Sequence, residues 1–206
     1  MDGNWLAVDT YDKIADVYTQ QYFNDLSDAP WIDKFLHYLP PQAKILDVGC
    51  GPGEFTRYIL DKNFDITGVD LSRAMIDIAR ERVGKEYFAI MDMCDLDYQP
   101  STFDGLLAAY SLIHIPSSKV PHTLAGFYRI LKPCGCLMII TQHGKPDRVV
   151  DEPLMAGEKM FINFFTGQRI ASLLRAAGFT IIHQEELAID DPDALSDRVI
   201  YTMARR

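Results

Sequence analysis

Long apolar runs are missing from this chain of 206 residues, and none approaches the roughly 18–20 residues that a membrane-spanning helix needs. Positive charge is also short: 20 Lys and Arg face 29 Asp and Glu, a formal net charge of −9. Such a surface repels phosphate backbones and disfavours a nucleic-acid partner. Cysteine is limited to Cys50, Cys94, Cys134 and Cys136, and the last two are spaced C-x-C rather than C-x-x-C. No second pair stands at zinc-ligand spacing, so no metal site is expected and the thiols read as free in a reducing compartment. The opening residues, MDGNWLAVDTYDK, lack a basic stretch followed by an apolar one. No secretory leader is therefore expected, and the cytoplasm is the expected location. Internal repeats, low-complexity tracts and linkers are absent as well. With 48% hydrophobic residues, the chain is expected to bury one core as a single domain over residues 1–206.

What is present centres on AKILDVGCGPGE, residues 43–54. Ile45, Leu46 and Val48 form a short apolar run that predicts a buried strand, ending in Gly49, Gly51 and Gly53 at alternate positions. Phe55, Tyr58 and Ile59 then share a helical face. Strand, glycine loop and helix in this order are expected to present backbone N–H groups to a ligand above the strand. A second strand, DITGVD, ends in Asp70, where an acid accepts from ribose hydroxyls. Together these features indicate a nucleoside cofactor. The glycine spacing is G-x-G-x-G, whereas the dinucleotide fingerprint is G-x-G-x-x-G, and Glu54 occupies the place of its third glycine. Asp47 and Glu54 would oppose a pyrophosphate but suit a ligand with a cationic end. A nicotinamide-dependent oxidoreductase is the rival that this pattern opposes.

The run LDVGCGPG, followed by GVD and then MDM, resembles the class I S-adenosylmethionine-dependent methyltransferases, in their small-molecule branch. The resemblance covers most of the chain from Tyr11 onward. It implies an α/β, Rossmann-like, doubly wound sheet of seven strands, mostly parallel with an antiparallel last strand and helices on both faces. N-terminal lid helices over 1–42 would precede a core over 43–206. The pattern Tyr11, Asp12, Ala15, Tyr18 is similar to the family's lid helix. Both tyrosines are equally open to a plainer reading as aromatics that dock the helix.

Along the chain, residues 9–22 predict a helix with Tyr11, Ile14, Ala15 and Tyr18 on one face, capped by Asp9 or Thr10. A second helix is expected over 30–39, ended by Pro40 and Pro41. Ser72 is placed to cap the helix after Asp70, with Met75, Ile76, Ile78 and Ala79 facing inward. Strands are expected over 86–91 and 102–109, and a helix over 120–131 ended by Pro133. The family usually reads L-K-P-G-G at the following join; here Cys134 replaces the first of those glycines. After the strand CGCLMIIT, residues 142–165 are long for a plain connection. They would form a covering insertion, with Lys145, Arg148, Met155, Met160, Phe161 and Phe164 at an acceptor pocket, or a packed surface excursion. Thr166 and Gly178 should bound a helix, and strands over 180–187 and 198–204 should flank the acidic turn DDPDALSD.

The resemblance also implies roles. Asp47, Gly49 and Gly51 would hold the methionine moiety, directly or through water, Asp70 the ribose hydroxyls, and Asp92 and Met93 the adenine, with Asp95 a rival for Asp92; Cys50, Gly53 and Leu71 would complete the cofactor-binding set. The adenine reading competes with a solvated loop acid. Tyr110 would line the methyl side. Tyr110, Ser111 and His114 follow a strand end, where ligands bind in open α/β sheets. For proton acceptance the candidates are His114, then Tyr18 and His143, because imidazole suits base work near neutral pH; a structural histidine is the competing reading of His114. The expected activity is methyl transfer to a small-molecule acceptor by in-line displacement, with S-adenosyl-L-homocysteine as product. The alternative is a protein that binds the cofactor without transferring its methyl group. An N-P-P-Y motif and a basic extension are absent.

Overall fold

Each apolar strand carries side chains to both faces of a sheet, and the computed structural model shows what covers them. It describes residues 3–190 and 194–206, so residues 191–193 of the acidic turn lie outside the described residues. The strands are β1 (Lys44–Val48), β2 (Asp65–Asp70), β3 (Phe88–Ile90), β4 (Phe103–Ala109), β5 (Leu131–Gln142), β6 (Arg148–Asp151), β7 (Lys159–Ile162), β8 (Thr180–Ala188) and β9 (Arg198–Arg205). Seven of them form one sheet in the order β3-β2-β1-β4-β5-β9-β8, while β6 and β7 pair separately. The first five sheet strands are parallel, and β9 runs antiparallel to both β5 and β8. This is the mostly parallel, doubly wound sheet with an antiparallel last strand that the resemblance implies.

Six helices accompany it: α1 (Gly3–Tyr22), α2 (Ala29–His37), α3 (Glu54–Leu60), α4 (Arg73–Arg82), α5 (Val120–Ile130) and α6 (Gly167–Ala176). Successive strand residues point to opposite faces. Leu46 and Val48, Leu106 and Ala108, and Leu137 and Ile139 accordingly share one core with Ile14, Leu124, Phe127, Ile170 and Leu174. Ile45, Leu107, Met138 and Ile140 turn the other way, onto Ile32 and Phe35 of α2 and Phe55 and Ile59 of α3. Full burial of Ile32 and Phe35 contributes about 1.5–3 kcal/mol for each side chain. That docks a helix of 9 residues that is too short to be stable alone.

Several boundaries follow the sequence. The Ser72 hydroxyl accepts from the Met75 N–H at 3.2 Å and Thr166 does the same for Arg169. Gly178, just beyond α6, has φ +100°, the left-handed closure expected there. Two expectations are corrected, the cap of the first helix and the end of the fifth. Helix α1 starts at Gly3, so neither Asp9 nor Thr10 caps it. Thr10 is instead buried in its middle, its hydroxyl 2.9 Å from the Leu6 carbonyl and 2.7 Å from that of Lys159. Helix α5 ends at Ile130, before Pro133, which lies inside β5. The 142–165 segment forms the β6–β7 pair and packs against α1. Met160, Phe161 and Phe164 are buried there, and Lys145 and Arg148 face solvent. Lys13 of α1 meets Glu158 at 2.9 Å. Among the described residues, no helix is long and apolar enough to cross a membrane.

Candidate functional site

Strand order reverses between β1 and β4, and a cleft opens at the C-terminal ends of β1, β2 and β4. Crevices at such a switch point are where open α/β sheets bind ligands. The cleft floor is the loop after β1 and the ends of β2 and β3; one wall is α1. Gly49 and Gly51 both have positive φ, +71° and +53°. At Gly49 a side chain would also collide with Ser111, because an added Cβ would sit 2.3 Å from the Ser111 Cβ.

The loop does not offer its N–H groups to a ligand as the sequence pattern suggests. Gly49 and Cys50 donate to the Val69 carbonyl at 2.7 and 3.0 Å, and Gly53 donates to the Cys50 carbonyl at 3.0 Å. Gly51 donates to the Asp70 carboxylate at 2.9 Å, and Pro52 has no N–H. A pyrophosphate held by those amides is therefore not supported; the loop is a tight floor that lets a ligand come close.

The charged groups of the lining are carboxylates. Asp47, Glu54, Asp70 and Asp92 all face the cleft, and none of the described lining residues is Lys or Arg. Burial pushes the Asp47 carboxyl up to about 7, against a hydrogen bond from the Thr56 hydroxyl at 2.8 Å that favours its charge. Burial likewise pushes Glu54 up to about 8. Asp70 is raised by burial too, although the Gly51 and Ser72 N–H groups donate to its two oxygens. Beyond the lone pairs taken by the Gly51, Ser72 and Leu71 N–H groups, the carboxylate keeps one for a ligand hydroxyl. Buried acids without cations to match them suit a ligand that brings its own positive charge. S-adenosylmethionine, with a sulfonium and an ammonium group, fits this donor set, and a diphosphate does not.

Helix α1 reaches the cleft with Ala7, Val8, Tyr11 and Tyr18. Asp12 fixes it in place, accepting from the Ser72 hydroxyl at 2.6 Å and the Ala74 N–H at 3.1 Å. The Tyr11 and Tyr18 rings meet edge to face, 5.6 Å apart. On the far side, Nδ1 of His114 lies 3.0 Å from the Phe161 carbonyl, and Nε2 lies 3.0 Å from the Tyr11 hydroxyl. A carbonyl only accepts, which assigns the ring hydrogen to Nδ1 and makes Nε2 the acceptor for Tyr11. Burial pushes this imidazole down to about 4. Both nitrogens of His114 are thus engaged, which favours the structural reading of this histidine over a role as general base. Tyr110, at φ +53°, donates its hydroxyl to Asp28 at 3.3 Å, where Tyr201 also donates at 2.6 Å.

Of the residues singled out in the sequence, Tyr18, Asp47, Gly49, Cys50, Gly51, Asp70, Leu71, Asp92, Met93, Tyr110 and His114 all line this one cleft. Gly53 does not. Its φ of +91° starts α3, and a Cβ there would meet the Phe88 ring at 2.8 Å, so it serves packing. Asp95 and His143 lie outside the lining, His143 beside Asp197 at 3.3 Å. Ala7, Val8, Ser72 and Met75 line the cleft without having been assigned to it. The spacing Ala7, Tyr11, Ile14, Tyr18 carries the signal for the first two, because it extends the α1 face by a full turn.

Comparison with known proteins bears on this cleft. Residues 18–184 match the model of a family described as a methyltransferase domain. The O-methyltransferase cnsE of Penicillium expansum is 30% identical over 69% of this chain and 54% of its own length. An S-adenosyl-L-methionine-dependent Diels-Alderase, iccD of Talaromyces variabilis, is 30% identical over 73% of this chain and 57% of its own. The chain thus spans about half the length of these curated relatives. Among solved structures, the 1,6-didemethyltoxoflavin-N1-methyltransferase of Burkholderia thailandensis superimposes with a TM-score of 0.71 at 26% identity. The match covers 97% of this chain and 84% of that one, whose structure holds 1,6-didemethyltoxoflavin and S-adenosylhomocysteine.

Proposed function

The chain belongs to the methyltransferase domain family, and from that premise we propose that it binds S-adenosylmethionine in the cleft and directs its methyl group to a small-molecule acceptor. The observation that carries this reading is the acid-rich, cation-free lining over a glycine floor whose N–H groups are already spent. When bound, this cofactor supplies a methyl group already activated by its sulfonium.

The chain's own residues supply binding, alignment and exclusion of water. Asp70 accepts from a ribose hydroxyl through the lone pair that Gly51, Ser72 and Leu71 leave free. Asp92, with Met93 beside it, takes the adenine amine, and Asp47, Gly49 and Gly51 hold the methionine end. Tyr18 and Tyr110 wall the reacting side and fix the approach of the acceptor. Such positioning supplies several kcal/mol of a displacement barrier without a dedicated cluster of acids and bases. The Tyr11 hydroxyl gives its hydrogen to Nε2 of His114 and keeps its oxygen lone pairs toward the cleft.

Calorimetric titration with S-adenosylmethionine, S-adenosylhomocysteine and NAD tests the reading. Saturable binding of the first two, lost in Asp70→Ala, supports it; binding of NAD alone overturns it. Conversion of S-adenosylmethionine to S-adenosylhomocysteine with candidate acceptors then separates methyl transfer from binding alone. That step matters because the Talaromyces relative is named for a cycloaddition.

A further inference from the structure

One cleft oxygen has nothing to bond to. Oε2 of Glu54 is buried without a hydrogen-bond partner among the described residues, on a side chain that lines the cleft. Glu54 opens α3 and is 8% exposed. The groups around it are Asp47 of β1, Asp70 of β2, Cys50 of the loop, and Tyr11 and Tyr18 of α1. Arg57, one turn along α3, is the cation that favours its charged form. That guanidinium is committed elsewhere, 4.4 Å over the Phe23 ring and 3.4 Å from the Asn24 side-chain oxygen. A hydrogen bond from its own N–H also favours the charged form, but a buried carboxylate with one oxygen left unpartnered still costs several kcal/mol, and protonation removes that cost. Asp47 differs, because its carboxylate already has the Thr56 hydroxyl.

We propose that Glu54 carries a proton in the free protein and releases it to solvent when the α-ammonium group of S-adenosylmethionine or S-adenosylhomocysteine arrives. Cofactor binding is then coupled to pH. In this step one O–H bond breaks, the proton passes to buffer, and a carboxylate–ammonium pair forms in the cleft. The inference rests on the cofactor reading above. The upward displacement of Glu54 to about 8 by burial agrees with it. A group titrating there is about nine-tenths protonated at pH 7, so binding should release about nine-tenths of a proton from it.

The test is calorimetry of the whole chain at pH 7 in buffers of different ionisation enthalpy. The ligands are S-adenosylhomocysteine and 5′-methylthioadenosine, which keeps the nucleoside but has no ammonium. The expected result is proton release with the first ligand and most of a proton less with the second. Glu54→Gln, a near-isosteric copy of the protonated side chain, should lower the release on S-adenosylhomocysteine by about nine-tenths of a proton. In the parent the dissociation constant should also weaken about tenfold more between pH 7 and pH 6 than in Glu54→Gln. Equal release by the two ligands, or by parent and variant, overturns the inference while leaving the cofactor in place. Failure of S-adenosylmethionine and S-adenosylhomocysteine to bind at any pH removes the cofactor reading itself and the inference with it.

Discussion

Replacing Gly49 by Ala adds one methyl group at the most crowded point of the cleft floor. The new Cβ would stand 2.3 Å from the Cβ of Ser111, 3.1 Å from its Oγ and 3.2 Å from Cε of Met93. Met93 ends in a flexible chain and can yield. Ser111 cannot yield cheaply: it is buried, its hydroxyl donates to the Val48 carbonyl at 2.6 Å, and its own carbonyl accepts from the His114 N–H at 3.1 Å. Holding Ala at a φ of +71° costs about 1–2 kcal/mol. Breaking the buried Ser111 bond costs about 1–3 kcal/mol. The stiffer unfolded chain returns about 0.4–1 kcal/mol. The net loss is about 2–4 kcal/mol, a large part of the roughly 5–15 kcal/mol that holds a typical domain together. Two companion substitutions separate the terms. Gly157 has φ +91° and open space around it, so Gly157→Ala should lose only about 1 kcal/mol from backbone strain. Gly126 lies within α5, also in open space, and Gly126→Ala should gain about 0.5–1 kcal/mol. Urea denaturation at constant m-value reads all three. If Gly49→Ala and Gly157→Ala lose the same amount, the collision with Ser111 contributes nothing and the reasoning fails.

Other measurements probe the same architecture. Asp47 and Glu54 have folded-state pKa values of about 7 and 8, above their ordinary values. Their contribution to stability is therefore complete below about pH 4 and lost as pH rises through 7 to 8. The free protein should weaken by several kcal/mol between about pH 4 and pH 8; flat or rising stability there would contradict the burial of these acids. Tyr11→Phe keeps the ring contacts but leaves Nε2 of His114 buried without a donor, and should cost about 1–3 kcal/mol. An unchanged urea midpoint would show that the Tyr11–His114 bond is not formed. Cys134 is exposed at φ +65°, so Cys134→Gly should raise stability by about 0.5–1 kcal/mol, and a fall in the thermal midpoint would count against it.

Much of this molecule was legible in its residues because the signals were local. The run Ile45-Leu46-Asp47-Val48, the three glycines and Asp70 lie within one strand–loop–helix–strand unit, and the cleft floor is built from that unit. Ser72 and Thr166 as caps were equally local, each closing a hydrogen bond three residues on. What escaped depends on contacts distant in sequence. Thr10 looked like a cap because threonine favours that place. Its hydroxyl instead reaches the Lys159 carbonyl, 149 residues away, as well as that of Leu6 in its own helix. His114 looked like a base because free imidazole titrates near neutrality. Only the fold brings Tyr11 and the Phe161 carbonyl to its two nitrogens. The expectation of free loop amides failed for a third reason. Glycine spacing reports that the backbone turns, and the destination of its N–H groups is decided by Val69 and Asp70 on the neighbouring strand.

The match to the family begins at residue 18, yet Ala7, Val8 and Tyr11 already line the cleft ahead of it. Floor and wall thus have separate origins in the chain. The floor is built from the ends of parallel strands, where a changed residue disturbs the sheet. The wall is one face of a helix held by Asp12 at the start of α4, by Thr10 at β7, by Lys13 at Glu158 just before that strand, and by Tyr11 at His114. Of the cleft-facing residues on that helix, Val8 makes no such bond and lies outside the buried core, so it can change size without loosening any of these anchors. The cleft therefore joins a socket of strand ends to a faceplate made of one helix, and side-chain bonds, not the sheet's own ladder, hold the two together.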